Sequence, residues 1–170
     1  MDLRRYIRSI PDFPEPGILF RDITPLLKEP KAFGYVLDVL AEEAMRREAE
    51  VVVGIESRGF LFGAPLADRM DLPFVPVRKP GKLPAAHMSI EYSLEYGQSQ
   101  LDIHEDAVGE GQRCLVVDDL LATGGTARAT AKLIEIVHGR VAGLAFVIEL
   151  EALGGRAQLA DYDVFSLLRY

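Results

Sequence analysis

Apolar residues at three- and four-residue intervals alternate along this chain with short, unbroken apolar runs, a pattern of helices interleaved with buried strands. Residues 3–10 predict a short amphipathic helix, ended by Pro11, Pro14, Pro16 and Gly17, which lay the chain out as a turn. Residues 18–22 then read as extended. Over residues 30–48, Phe33, Val36, Leu37, Leu40 and Ala44 mark one helical face. The β-branched run 51–55 predicts a buried strand, followed by a helix over roughly residues 60–69 and a strand at 74–77. A polar stretch broken by Pro and Gly reaches to about residue 97. Residues 115–117 predict another strand, and 127–137 a helix with Ala127, Ala131, Ile134 and Val137 on its apolar face. Two strands follow, at 144–150 and 164–168. The alternation predicts an α/β fold, a mostly parallel twisted sheet with helices on both faces. No repeat, linker or low-complexity segment marks a boundary, so one domain spanning 1–170 is expected.

Composition narrows the functions available. A chain of 170 residues with 49% hydrophobic content can bury a real core. Its formal charge of -7, from 26 acids against 19 Lys and Arg, argues against a nucleic-acid partner bound through surface charge. Any affinity for phosphate must then be local. The single cysteine, Cys114, excludes an internal disulfide framework, and its place in a predicted strand argues against a nucleophile. No apolar run reaches membrane-spanning length and the first residues lack a signal peptide's apolar core, so a cytoplasmic protein with no membrane partner is expected. His87, His104 and His138 are scattered without metal-cluster spacing.

The densest chemistry lies in residues 114–126, C-L-V-V-D-D-L-L-A-T-G-G-T. A strand here runs into two carboxylates and then into a small-residue turn that opens a helix. Gly124 and Gly125 leave room for a ligand against main chain, and the N–H groups at a helix start suit a phosphate. Thr123 and Thr126 add hydroxyl donors. Asp118 and Asp119 accept hydrogen bonds from ribose hydroxyls and suit a hydrated magnesium ion. Taken singly, Gly-Gly-Thr before a helix is ordinary turn chemistry, and acids near a helix start are favoured by its dipole. Together they point to a ribose phosphate. Neither a Walker P-loop nor a Gly-x-Gly-x-x-Gly fingerprint is present.

Ligands of parallel sheets sit beyond the carboxyl ends of the strands, which brings two more loops into play. One is Glu56-Ser57-Arg58-Gly59; the other is Arg78-Lys79-Pro80-Gly81-Lys82, whose cations in an acidic chain suggest an anion such as pyrophosphate. Residues 83–97 are long and polar enough to form a lid. Within them Tyr92 and Tyr96 are equally consistent with a packing pair, and Glu95 with a surface charge.

These residues resemble the adenine phosphoribosyltransferases, purine-salvage enzymes of the type I phosphoribosyltransferase fold, over nearly the whole chain. The resemblance rests on Ile10-Pro11-Asp12-Phe13-Pro14, Gly17-Ile18-Leu19-Phe20-Arg21-Asp22, residues 57–63 (S-R-G-F-L-F-G), residues 78–84 (R-K-P-G-K-L-P), Ser93-Leu94-Glu95-Tyr96-Gly97 and residues 116–126. Departures fall in 85–91 and after Ala152. The resemblance implies magnesium-dependent transfer of a phosphoribosyl group from 5-phosphoribosyl-1-pyrophosphate (PRPP) to adenine, giving AMP and pyrophosphate. It implies that Ala122, Thr123, Gly124, Gly125 and Thr126 hold the 5-phosphate, and Asp118 and Asp119 the ribose hydroxyls. Ser57, Arg58, Arg78, Lys79 and Lys82 are assigned to pyrophosphate. Leu19, Phe20, Arg21 and Leu120 are assigned to the base, with residues 1–30 forming a hood. Glu95 and Arg58 are the implied catalytic residues, Glu95 taking a proton from the adenine imidazole ring, and Tyr96 belongs to the flexible lid, residues 83–97. Magnesium would travel with PRPP or pyrophosphate, near Asp118 and Asp119 or through water, with no protein-only site. A homodimer is implied too. Two alternatives stay open: a regulatory protein that binds phosphoribosyl ligands, and an enzyme for a 6-oxo purine.

Overall fold

The structure, a computed structural model, describes residues 1–94 and 97–170 and divides into two compact units, Met1–Val39 and Leu40–Tyr170. In the first unit a single 3-10 turn at Leu3–Tyr6 leads into strand β1 (Arg8–Pro11), which pairs antiparallel with β2 (Leu19–Asp22). The amphipathic pattern of residues 3–10 therefore does not make a helix; its second half is recruited into a ladder in which Ser9 faces Arg21 and Ile10 faces Phe20. Asp12 shapes the connecting turn by accepting a 2.7 Å bond from the Gly17 N–H, and Phe13 meets Phe20 edge to face at 5.1 Å. A short helix, α1 (Thr24–Lys28), precedes α2 (Pro30–Arg46), whose residues from Leu40 onward count with the second unit.

The second unit is built on five parallel strands in the order β4-β3-β7-β8-β9: β3 (Val51–Ile55), β4 (Phe74–Val77), β7 (Arg113–Leu121), β8 (Arg140–Glu149) and β9 (Val164–Arg169). β3 is buried at all five positions, which is why its sequence reads as continuous apolar rather than alternating. Successive strand residues point to opposite faces. On one face α3 (Gly59–Met70) comes so close that a Cβ on Gly54 would stand 3.2 Å from the Phe60 ring and one on Gly63 would stand 3.5 Å from the Gly54 Cα. On the other, Val51, Val53 and Ile55 join Val116, Leu144 and Phe146 in a core closed by Leu133 and Ile134 of α4 (Gly125–Ile136). Helices thus cover both faces.

Two further features depart from the predicted elements. Residues 87–94 and 97–104 are not irregular: β5 (His87–Leu94) and β6 (Gly97–His104) pair as an antiparallel ribbon, with Leu101 and Ile103 buried in the α4-side core. And β7 carries on past its apolar run, keeping its ladder to β8 through Leu121, so both aspartates lie within a strand and not beyond its end. Cys114, near the start of β7, is fully buried; burial first, and Glu50 second, push its thiol up to about 12. No helix among the described residues is long and apolar enough to cross a membrane.

Candidate functional site

A crevice of about 590 Å³ opens where β3, β7 and the start of α4 converge. Its floor is Asp118, Asp119 and Leu120 on β7; its cradle is the turn Ala122–Thr126; its opposite wall is Glu56, Ser57 and Arg58, with Lys79 at the edge. Eleven predicted residues are therefore gathered in one place from β7 and three loops: Ser57, Arg58, Lys79, Asp118, Asp119, Leu120 and the five of the turn.

The turn has its shape for a local reason. Gly124 adopts φ +88°, which side chains with a Cβ rarely tolerate, and caps α4 without any side-chain hydrogen bond. The cradle is also braced from behind, since a Cβ on Gly124 would stand 2.5 Å from the Gly155 carbonyl oxygen and one on Gly155 would collide with the carbonyl of Ala122. Gly155 opens a 3-10 turn, Gly155–Leu159, which Arg156 pins by donating to Glu149 Oε1 at 3.0 Å and Oε2 at 2.5 Å and to the Val164 carbonyl at 2.7 Å. The opposite side of the turn, from Ala122 to Thr126, lines the crevice.

The two carboxylates sit at low dielectric. Asp118 Oδ1 accepts the Asp119 N–H at 2.9 Å, and Asp119 is buried. Burial, then the neighbouring Asp119 charge, pushes the Asp118 carboxyl well above its ordinary range; burial also raises Asp119, against the pull of Arg58. Arg58 Nε lies 2.9 Å from Asp119 Oδ2, close as an ion pair but not aligned as a hydrogen bond, so that oxygen has no donor. A buried acid pair with an unsatisfied oxygen is suited to hydroxyl donors or to a hydrated cation. Among the described residues no group of three or more His, Cys, Asp or Glu is placed to hold a metal.

The cationic loop behaves differently from its sequence reading. Glu56, with a side chain only 7% exposed, accepts from Arg78 Nε at 3.0 Å, the Lys79 N–H at 2.9 Å and Lys82 Nζ at 2.5 Å. Arg78 and Lys82 are therefore organised around an internal carboxylate, and neither lines the crevice itself. The peptide joining Glu56 to Ser57 is cis. Burial alone would raise the Glu56 carboxyl, but the bonds from Lys82, the Lys79 N–H and Arg78 outweigh it and hold the group at about 2, below the ordinary 4.5. With the folded value below the unfolded one, this contribution to stability is complete above pH 4.5 and is lost as pH falls through about 2. Glu56→Gln is expected to melt lower than the parent at neutral pH, with a shallower fall in melting temperature across that acid window. Parallel curves from pH-dependent calorimetry would contradict this.

Leu19, Phe20 and Arg21 lie together on β2 of the first unit, where Arg21 Nη1 donates to Ser9 Oγ at 2.5 Å. Glu95 and Tyr96 lie outside the described residues. The sequence reading gave no role to Glu56 or Gly155, and saw in Tyr92 only packing. Two signals were available: the acid directly ahead of Ser57-Arg58-Gly59 at a strand end, and the Gly154-Gly155 pair just past β8.

Comparison with known proteins gives a consistent result. The family model described as the phosphoribosyl transferase domain matches residues 27–168. The adenine phosphoribosyltransferase of Gloeobacter violaceus is 63% identical over 161 residues, covering 95% of this chain and 94% of that protein. That of a Synechococcus species is 58% identical over 170 residues, covering 100% and 99%. Among solved structures, adenine phosphoribosyltransferase from Thermoanaerobacter pseudethanolicus superposes with a TM-score of 0.96 at 54% identity, covering 99% of this chain and 98% of the other. The Saccharomyces cerevisiae enzyme, complexed with adenine and an imino-altritol bisphosphate, gives 0.93 at 38% identity, covering 98% and 96%.

Proposed function

Because the chain belongs to the adenine phosphoribosyltransferases of the phosphoribosyl transferase family, we propose that it transfers the phosphoribosyl group of PRPP to adenine, releasing AMP and pyrophosphate. The observation that supports this most directly is the shared crevice: the small-residue turn 122–126 at the start of α4, suited to a phosphate, beside a buried acid pair for ribose hydroxyls, with Arg58 opposite.

In the reaction a ring nitrogen of adenine bonds to the anomeric carbon as the bond from that carbon to pyrophosphate oxygen breaks. The electron pair leaves with pyrophosphate and the imidazole proton passes to Glu95. Positive charge grows on the sugar and negative charge on the leaving group. The turn 122–126 anchors the 5-phosphate through its N–H groups, and Asp118 and Asp119 take the ribose hydroxyls, which fixes the anomeric carbon against the incoming base. Ser57, Arg58 and Lys79 meet the pyrophosphate in the crevice, with Arg78 and Lys82 of the neighbouring loop supplying further positive charge. The unsatisfied Asp119 oxygen and the raised Asp118 carboxyl fit a hydrated magnesium ion held through these two residues. What magnesium supplies when bound is neutralisation of charge on the departing pyrophosphate.

The same reading makes residues 1–170 one phosphoribosyltransferase domain and, by family resemblance, assigns Leu19, Phe20, Arg21 and Leu120 to the base and Tyr96 to the lid. It carries with it a homodimer and a cytoplasmic setting, both supported by the family resemblance.

Pyrophosphate release with PRPP and each purine in turn tests the assignment. A pocket built for the amino edge of adenine presents the wrong hydrogen-bond pattern to hypoxanthine, so adenine should be used at least about 10²-fold more efficiently. Equal rates would indicate a different base; binding of PRPP without turnover on any base would indicate a regulatory protein.

A further inference from the structure

One contact joins the hairpin to the phosphate cradle, and no role assigned so far uses it. Tyr92, on β5, places its hydroxyl 3.2 Å from Thr126 Oγ1. Its ring is half-buried against the α4-side core and lies 3.6 Å from where a Cβ on Gly125 would stand, while the Ser93 carbonyl oxygen lies 3.4 Å from that same point. β5 thus crosses directly over the first turn of α4, in van der Waals range of Gly125.

We propose that Tyr92 is a positioning residue for the 5-phosphate, acting through Thr126 and seating the β5–β6 hairpin on the occupied cradle. The inference rests on the reading of residues 122–126 as the phosphate site. A phosphate ester offers only acceptor oxygens to its neighbours, so Thr126 must spend its one O–H on the phosphate. The lone pairs of Thr126 Oγ1 then remain for a donor, and the phenol of Tyr92 is the hydroxyl within reach. Its O–H donating to Thr126 fixes the threonine rotor with the proton directed at the ligand, and polarises that O–H so that it donates more strongly. The coupling runs both ways. An anion that orients Thr126 strengthens the bond to Tyr92 and so favours the hairpin in its seated position.

The test is a double-mutant cycle over Tyr92→Phe and Thr126→Val, read as the KM for PRPP, the KM for adenine, and the inhibition constant of ribose 5-phosphate. Tyr92→Phe keeps the ring and its packing, so the melting temperature should stay within about 2 °C. The KM for PRPP and the inhibition constant should both rise roughly 3- to 10-fold, the range for one hydrogen bond, while the KM for adenine stays put. In the Thr126→Val background the same change should add less than about 2-fold, because its partner is gone. In Thr126→Ser, which keeps the oxygen, the full sensitivity should return. Additive effects in the cycle, or equal shifts in both KM values, overturn the role of Tyr92 alone. Failure of ribose 5-phosphate to compete in the unmodified enzyme overturns the phosphate cradle itself, and this inference with it, before any variant is made.

Discussion

Glu95→Gln is expected to lower kcat by roughly 10²- to 10⁴-fold while leaving PRPP affinity near its original value, the cost of removing one positioned proton acceptor. The substitution preserves shape and removes the ability to take a proton at neutral pH. Adenine attacks through a ring nitrogen of the imidazole that gains positive character as the bond to the sugar forms, so the loss falls on the chemical step. PRPP makes its proposed contacts through residues 57–58, 78–82 and 118–126, none of which is altered. Glu95 itself lies outside the described residues; its assignment rests on the resemblance of residues 93–97 to the family. Steady-state kinetics paired with an equilibrium titration of PRPP separates the two quantities. Unimpaired turnover would remove Glu95 from the mechanism.

A second large effect is expected from a residue that touches no ligand. Gly155→Ala should raise the KM for PRPP by roughly 5- to 150-fold, the range that corresponds to an overpacking cost of about 1–3 kcal/mol. The new methyl group would meet the Ala122 carbonyl, with the Gly124 nitrogen only 3.0 Å away, so backbone and not a movable side chain is in its path. The 3-10 turn that carries it cannot swing aside freely, because Arg156 ties it to Glu149 and to β9. The strain is thus passed to the phosphate turn, whose other face is the cavity. Adenine affinity should change far less. A melting temperature and PRPP KM both close to those of the parent would show that the brace is looser than these distances indicate.

The sheet was legible in the sequence to the extent that its central strands are buried on both sides. β3 and most of β8 announce themselves as unbroken apolar runs, because no solvent-facing side imposes alternation, whereas the edge strands β4 and β9 are only partly buried. β7 was read too short because Asp118 and Asp119 look like the end of a strand, whereas pairing with β8 holds them in the ladder to Leu121. Residues 8–10 join β1 and not the expected helix for a different reason: a short segment with a weak amphipathic pattern is governed by pairing partners in residues 20–22, which local periodicity does not register. The β5–β6 hairpin escaped because much of it is polar and exposed, with burial confined largely to Leu101, Asp102 and Ile103 on β6. At the site, the cradle and the acid pair could be recognised because all their parts are consecutive. Glu56 acts on partners 22 to 26 residues away and Gly155 on a turn that precedes it by a whole helix and strand, so their contributions exist only in the folded arrangement.

The lone sulfur near the start of β7 has one further consequence. With its thiol held at about 12, the anionic form that reacts with oxidants and electrophiles is all but absent from the folded molecule at neutral pH. Its Sγ–H is turned inward to the Gln112 carbonyl at 3.4 Å, and solvent does not reach it. Chemical damage at that cysteine therefore proceeds by way of the opened chain and competes with refolding, not with turnover.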